Sequence, residues 1–313
     1  MSIDAATHAS ESVARLPRLS WWQRNQRRLA PYLFISPFYV LFLVFFLGPV
    51  LFAFYLSLQS WNGIDDMRWV GLGNFAEMVQ DEAFRKSLGN TAFYAAASLF
   101  VLAPLALLLA VALNSSLLRG RDIVRTVYFT PIVTSAVAMS IVFLTLYSKR
   151  AGLVNVALAS VGAEPIDWLG DPDWIKVAVV VLVAWRSTGF HSVYFLAALQ
   201  NTPQSIIEAA QVDGANRWQL FWNITLPMLR PIIIFVAVIT LIGSAQIFDE
   251  PYMLTRGSGG PLDSALSLAN YLYRSGLQYV RLGYASAVGV TIFALVFCLS
   301  WLQVRAFGVF RED

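Results

Sequence analysis

Six apolar runs dominate this chain, near residues 31–58, 91–113, 124–147, 175–199, 231–248 and 282–304. A helix rises about 1.5 Å per residue, so roughly 20 apolar residues cross a hydrocarbon core of about 30 Å. The chain is 58% hydrophobic and only 13% charged, against about a quarter charged residues in a soluble domain. A soluble fold of 313 residues cannot bury so many continuous runs. The expected fold is all-α, a polytopic membrane protein with six transmembrane helices. The run at 124–147 is interrupted by Thr130, Pro131, Thr134 and Ser135, and the run at 231–248 is short. Both are tolerable where neighbouring helices satisfy the freed backbone groups.

The segments outside the runs suggest how the chain is threaded. Residues 1–30 carry Arg15, Arg18, Arg24, Arg27 and Arg28 and no apolar core before a small-residue cleavage site. They read as a retained cytoplasmic tail, with the first span as insertion signal. The membrane-spanning body is then expected over 31–308, and 309–313 is a short second tail. Lys and Arg concentrate in cytoplasmic loops near span ends. With the amino terminus inside, the short inner loops hold Arg119, Arg121, Arg125, Arg217 and Arg230, and Arg305 and Arg311 follow the last span. The basic residues on the other side lie in longer loops and are diluted by acidic ones. Both termini are therefore expected in the cytoplasm. Cys298 is the only cysteine, which excludes an internal disulfide or a cysteine-built metal site.

The loop at 202–227 is expected on the cytoplasmic side. Thr202 and Pro203 suit a helix start, with a capping side chain before a proline at the first helical position. Ser205 and Glu208 are spaced as a capping box, the plain structural reading of Glu208. Ala209 and Ala210 are small enough for another backbone to approach. Gly214 interrupts the helix at a cost of about 1 kcal/mol against alanine. Asn216 can cap the next helix, where Trp218, Phe221 and Trp222 recur at helical spacing as an aromatic face to pack beneath the bundle. Pro227 closes the segment. Local structure accounts for each residue singly, but not for the whole spacing.

Glu208-Ala209-Ala210, then Gly214, then Ile224-Thr225-Leu226-Pro227, resembles the EAA loop of bacterial type I ATP-binding-cassette importer permeases. The likeness covers roughly residues 30–308. Leu118-Arg119-Gly120-Arg121, Val70-Gly71-Leu72-Gly73-Asn74-Phe75, Asn90-Thr91, Trp185 with Gly189, and Gly283-Tyr284-Ala285-Ser286-Ala287 look like the carbohydrate-uptake branch. Tyr252-Met253-Leu254-Thr255 and Gly259-Gly260-Pro261 resemble the first of its two permease subunits. The Arg256-Gly257-Ser258 insertion departs from that pattern and leaves the geometry of this loop open.

The resemblance implies that Glu208, Ala209, Ala210, Asp213 and Gly214 couple the chain to an ATPase. It implies a heterodimer with a second permease subunit, two copies of an ABC ATPase and an extracytoplasmic solute-binding protein. The substrate would be a sugar, a di- or oligosaccharide, and no nucleic acid is involved. The chain lacks a Gly-x-x-x-x-Gly-Lys-Ser/Thr phosphate loop, so it is expected to be no enzyme and to hold no cofactor or metal. ATP and Mg would sit on the partner ATPase.

Arg186 lies ten residues into the fourth run, about 15 Å deep at 1.5 Å per residue. A charge at that depth is a functional candidate by default. Ser187, Phe190 and Tyr194 share its helical side, whereas His191 and Ser192 point elsewhere. In the fifth run Thr240 and Ser244 share a face, with Gln246, Asp249 and Glu250 near its end. Arg186, Ser187, Phe190, Tyr194, Thr240 and Ser244 are thus candidates to line a substrate path. Two alternatives stay open: Arg186 is held by Asp249 or Glu250 as a structural pair, and the hydroxyl residues serve close helix packing.

Other functions fit less well. An intramembrane serine protease needs a Ser–His pair in reach, and Ser192 beside His191 diverges from it on a helix. A secondary transporter is expected to show mid-span acidic residues and inverted repeats, and neither is visible. The alternative that keeps the class changes the cargo to a glycerol phosphate or phosphodiester, a sugar acid or a polyol, since Arg186 suits an anion.

Overall fold

The computed structural model describes residues 21–115 and 120–306. The 1–20 part of the tail, Leu118 and Arg119, and the 309–313 segment lie outside the described residues. The architecture is all-α, with five helices long and apolar enough to span a membrane: Arg27–Ser57, Glu82–Asn114, Trp174–Gln200, Arg230–Leu254 and Leu282–Ala306. Two further helices, Arg121–Val133 and Ala136–Leu146, are apolar enough for a sixth span only when taken together. Residues up to Phe52 form one unit and those from Ala53 another. The only strands among the described residues are a two-residue antiparallel ladder, Gln59 opposite Trp69 and Ser60 opposite Arg68.

The third run departs from the continuous span expected at 124–147. Its two helices meet at 103°, with Thr134 and Ser135 extended between them (ψ 144° and 131°). Pro131 has no amide to offer the Val127 carbonyl. The Thr130 and Thr134 hydroxyls bond back to the Thr126 and Thr130 carbonyls at 2.6 and 2.9 Å, a habit that bends helices. Both arms still touch the fourth span. Phe143 meets Trp185 with ring centroids 5.5 Å apart, and the Tyr147 hydroxyl donates to the Ala178 carbonyl at 3.0 Å. At Gly189 the fourth span lies so close to the Tyr128 carbonyl that a Cβ would collide with it.

Two further spans run longer than expected. The second begins at Glu82, because the Asp81 carboxylate accepts from the Ala83 and Phe84 amides at 2.7 and 3.2 Å and caps the helix early. The fifth continues past a break at Gln246–Phe248 to Leu254.

Three wide helical turns share one cause. The amides of Gly48, Ala103 and Leu226 each reach back five residues, to Leu43, Ser98 and Phe221. Each turn ends two residues before a proline, Pro49, Pro104 and Pro227. A proline cannot donate to the carbonyl four residues earlier and its ring crowds that carbonyl. The turn ahead of it widens by one residue.

Packing falls into three apolar clusters. Ala106, Ala110 and Leu113 face Phe195, Leu196 and Leu199, with Leu229, just ahead of the fifth span, and Val236 within it alongside. The alanines are one turn apart, so the second and fourth spans approach closely, as small residues allow in membranes. Tyr94, Phe143, Tyr147, Trp168 and Leu182 form a second cluster. The third ties Met78 and Phe84 to Leu266, Tyr271, Tyr284 and Val288. Polar groups fasten the 261–273 loop to the second span. Asn90 donates to the Asp263 and Leu266 carbonyls at 2.8 and 3.0 Å, and Thr91 accepts from the Leu268 amide. Arg256 and Gly257 of the insertion both take positive φ, 53° and 78°. The Gly257 amide closes the preceding helix onto the Tyr252 carbonyl at 2.7 Å.

Candidate functional site

The 202–228 segment is built to be rigid without being buried. Its first helix runs Gln204–Val212 with Pro203 as the capping residue and no side-chain cap. The capping box expected of Ser205 and Glu208 does not form. Starting the helix at Gln204 makes Glu208 its fifth residue, past the first-turn amides. Thr202 is not the cap either, since its hydroxyl bonds the Ala198 carbonyl at the end of the fourth span. Glu208 is exposed and takes part in no ion pair among the described residues.

The end of that helix is fixed by Gly214, whose φ is +84°. The Ala215 amide reaches the Ala210 carbonyl at 3.0 Å and the Gly214 amide reaches Gln211 at 3.1 Å. This is the paired closure that requires a left-handed residue, and glycine takes it without strain. No atom crowds the missing side chain; the backbone angle is what demands glycine. Asn216 and Gln219 then form a reciprocal capping box, at 2.8 and 2.9 Å. Ala210, Asp213, Gly214, Gln219 and Asn223 line a shallow depression between the two helices.

From Pro203 to Met228 no residue is buried. The aromatic face expected to pack beneath the bundle instead packs on itself. The rings of Trp218 and Trp222 lie 5.7 Å apart and those of Phe221 and Trp222 5.4 Å apart, and Trp218 remains 70% exposed. The segment is anchored by Leu229, 1% exposed, which leaves the aromatics free of that task.

The second feature is a cavity of about 290 Å³ between the second, fourth and fifth spans. Arg186 Nη1 donates to Glu250 Oε1 at 2.8 Å, and the Glu250 side chain is 7% exposed. Arg186, Ser187, Thr240 and Ser244 all line this space. The wide turn before Pro104 brings Ser98 to the same wall. The Ser244 hydroxyl bonds the Thr240 carbonyl at 2.8 Å. Two lining residues each have a buried polar atom with no partner among the described residues, Thr240 Oγ1 and Arg186 Nε.

Phe190 and Tyr194 do not line the cavity. They pack edge to face with each other, centroids 5.5 Å apart, and Tyr194 packs on Phe235 at 5.3 Å. They share Arg186's side of the helix, but four and eight residues place them about 6 and 12 Å further along its axis. His191, read from the sequence as pointing elsewhere, does line the cavity. Its Nδ1 meets the Ser187 carbonyl at 2.9 Å, while the Ser192 hydroxyl bonds the Gly189 carbonyl. The two side chains are each engaged with their own helix, so no Ser–His pair forms between these neighbours.

A bundle of apolar spans, an unburied and doubly capped loop, and a polar cavity among the spans describe a membrane transport subunit. The family described as "Binding-protein-dependent transport system inner membrane component" matches residues 103–306. The chain belongs to this family. It is 39% identical over 304 residues to the lactose transport system permease protein of Rhizobium radiobacter, covering 96% of this chain and 98% of that one. To the arabinooligosaccharides transport system permease protein of Bacillus subtilis (strain 168) it is 36% identical, covering 92% and 91%. Among solved structures, a chain of the bacterial alginate ABC transporter in complex with alginate pentasaccharide-bound periplasmic protein superposes with a TM-score of 0.79. That match is at 26% identity and covers 94% of this chain and 99% of the other.

Proposed function

We propose that this chain is one of two different permease subunits in an ATP-driven sugar importer of the inner membrane, with both termini in the cytoplasm. It forms half of the translocation path for a di- or oligosaccharide handed over by an extracytoplasmic binding protein. Two copies of a separate ATPase bind the ATP and Mg. The permease relatives of lactose and arabinooligosaccharide systems support the cargo class.

The observation that carries the coupling role is the Gln204–Val212 helix, fixed at its end by Gly214 and offered without a buried residue. A short helix with small residues at Ala209 and Ala210 and an exposed carboxylate at Glu208 fits a cleft in a moving partner. Force applied there passes through Leu229 into the fifth span and the cluster around Phe195. The cavity at Arg186, Thr240 and Ser244 is the stretch of path this chain supplies. The rings of Phe190, Tyr194 and Phe235 lie next along the spans, toward the 204–228 loop.

Site-directed cross-linking tests the docking. With Cys298→Ser as background, Ala210→Cys in the assembled complex is expected to form a bond with a single cysteine in the ATPase cleft, and nucleotide should change its yield. Failure of every position from 208 to 212 to cross-link the ATPase would reject the coupling role.

A further inference from the structure

We infer that this chain's wall of the path carries excess negative charge and so disfavours anionic solutes, selecting uncharged sugars. The inference rests on the cavity being part of the path. Among the charged groups lining it, Arg186 is matched against two carboxylates, Asp249 and Glu250. Glu250 takes the guanidinium directly, at 2.8 Å from a nearly buried position. The Arg186 charge is thereby balanced within the pair, and Asp249, exposed at the cavity edge, is left without a counter-charge in the lining. What remains for a ligand is uncharged hydrogen bonding. Ser187 and Gln246 line the space, and their uncharged side chains can hydrogen-bond a sugar hydroxyl.

The two carboxylates follow the break at Gln246–Phe248, and Asp249 opens the helix that continues the fifth span. Successive residues on a helix differ by about 100°, so one neighbour pairs with Arg186 while the other meets solvent. A cargo carboxylate in this space would face Asp249 with the guanidinium already committed. The sugar-acid and phosphodiester cargoes suggested by Arg186 alone are disfavoured.

Charged thiol reagents measure this field directly. Gly243 lines the cavity, is exposed, and has no atom within 4 Å of where a side chain would begin. Gly243→Cys in a Cys298→Ser chain, assembled with its partner subunits, is treated at pH 8. A histidine of ordinary pKa, about 6.5, is uncharged there. The probes are neutral methyl methanethiosulfonate, the cationic trimethylammonium-ethyl reagent and the anionic sulfonatoethyl reagent. Relative to a free thiol, the cationic reagent should react about tenfold faster than the anionic one, a ratio consistent with a unit charge a few ångströms away. Glu250→Gln should lower that ratio by about tenfold, because Arg186 is released. Asp249→Asn, which leaves the ion pair intact, should lower it several-fold. A ratio equal to the free thiol's and unmoved by either substitution would overturn the inference while leaving the path reading in place. No modification by the neutral reagent would instead mean that water does not enter, and both readings would fall.

Discussion

Arg186 of the fourth span and Glu250 of the fifth are joined at 2.8 Å, with their side chains 23% and 7% exposed. A buried pair is costly to half-remove, because the survivor keeps its charge without a partner; such losses run to about 3–5 kcal/mol. Arg186→Ala should therefore lower the melting temperature of the purified complex. Adding Glu250→Gln should restore most of it. A double mutant as unstable as the single would mean that the pair does not hold the spans together.

Gly214 closes its helix with a φ of +84°. Valine there must adopt a left-handed backbone, a cost larger than the roughly 0.4–1 kcal/mol that a compatible glycine replacement gains. Gly214→Val should insert into the membrane at a normal level, yet retain several-fold less ATPase on affinity purification. Loss of the chain from the membrane fraction would point to a folding role instead.

Gly189 is set by space rather than by angle, since a Cβ would strike the Tyr128 carbonyl. Gly189→Val should separate the fourth span from the bent third, with a drop in melting temperature and in protein recovered. Gly243→Val, where no atom lies within 4 Å of an added Cβ, should lack this clash and serve as the control. Equal recovery of Gly189→Val and wild type would show that the two helices are free to part.

Asp81 joins the second span to the 268–284 region through Tyr271 at 2.6 Å and Tyr284 at 3.4 Å. Burial pushes its carboxyl up, but the Tyr271 hydroxyl, the Phe84 and Ala83 amides and the Tyr284 hydroxyl outweigh that and hold it below the ordinary aspartate range. A carboxylate lowered in the folded state contributes stability that is fully present above its unfolded value, about 3.9. That contribution fades as pH falls through the lowered native value. Tyr271→Phe should shrink the loss of melting temperature on acidification below about pH 4, and Asp81→Asn should remove Asp81's share of it. An unchanged acid profile in Asp81→Asn would exclude this coupling.

Run length made the spans legible in the sequence, and turn chemistry did the same for Gly214 and the Asn216 cap. The bend at Thr134–Ser135 was foreshadowed by Pro131 and its threonines, but its angle depends on which carbonyls those side chains take. The wide turns before Pro49, Pro104 and Pro227 follow from proline's missing donor, a regularity that appears only once the bonds are seen. Helical spacing gave the direction of Phe190 and Tyr194 but not their depth relative to the fifth span, which excluded them from the cavity and admitted His191. Asp249 and Glu250 were both readable as possible partners of Arg186; that the pair forms, and with Glu250, depends on where the helix restarts after Phe248.

Glu208 offers the most direct test of the account. In proteoliposomes holding the complete complex, binding-protein-stimulated ATPase and solute uptake are measured for Glu208→Lys beside wild type. The account predicts that both fall by about tenfold or more, in line with the loss of a charge-assisted contact of 1.5–3 kcal/mol, with the two permease subunits still paired. Normal stimulation and normal uptake in the mutant would contradict it.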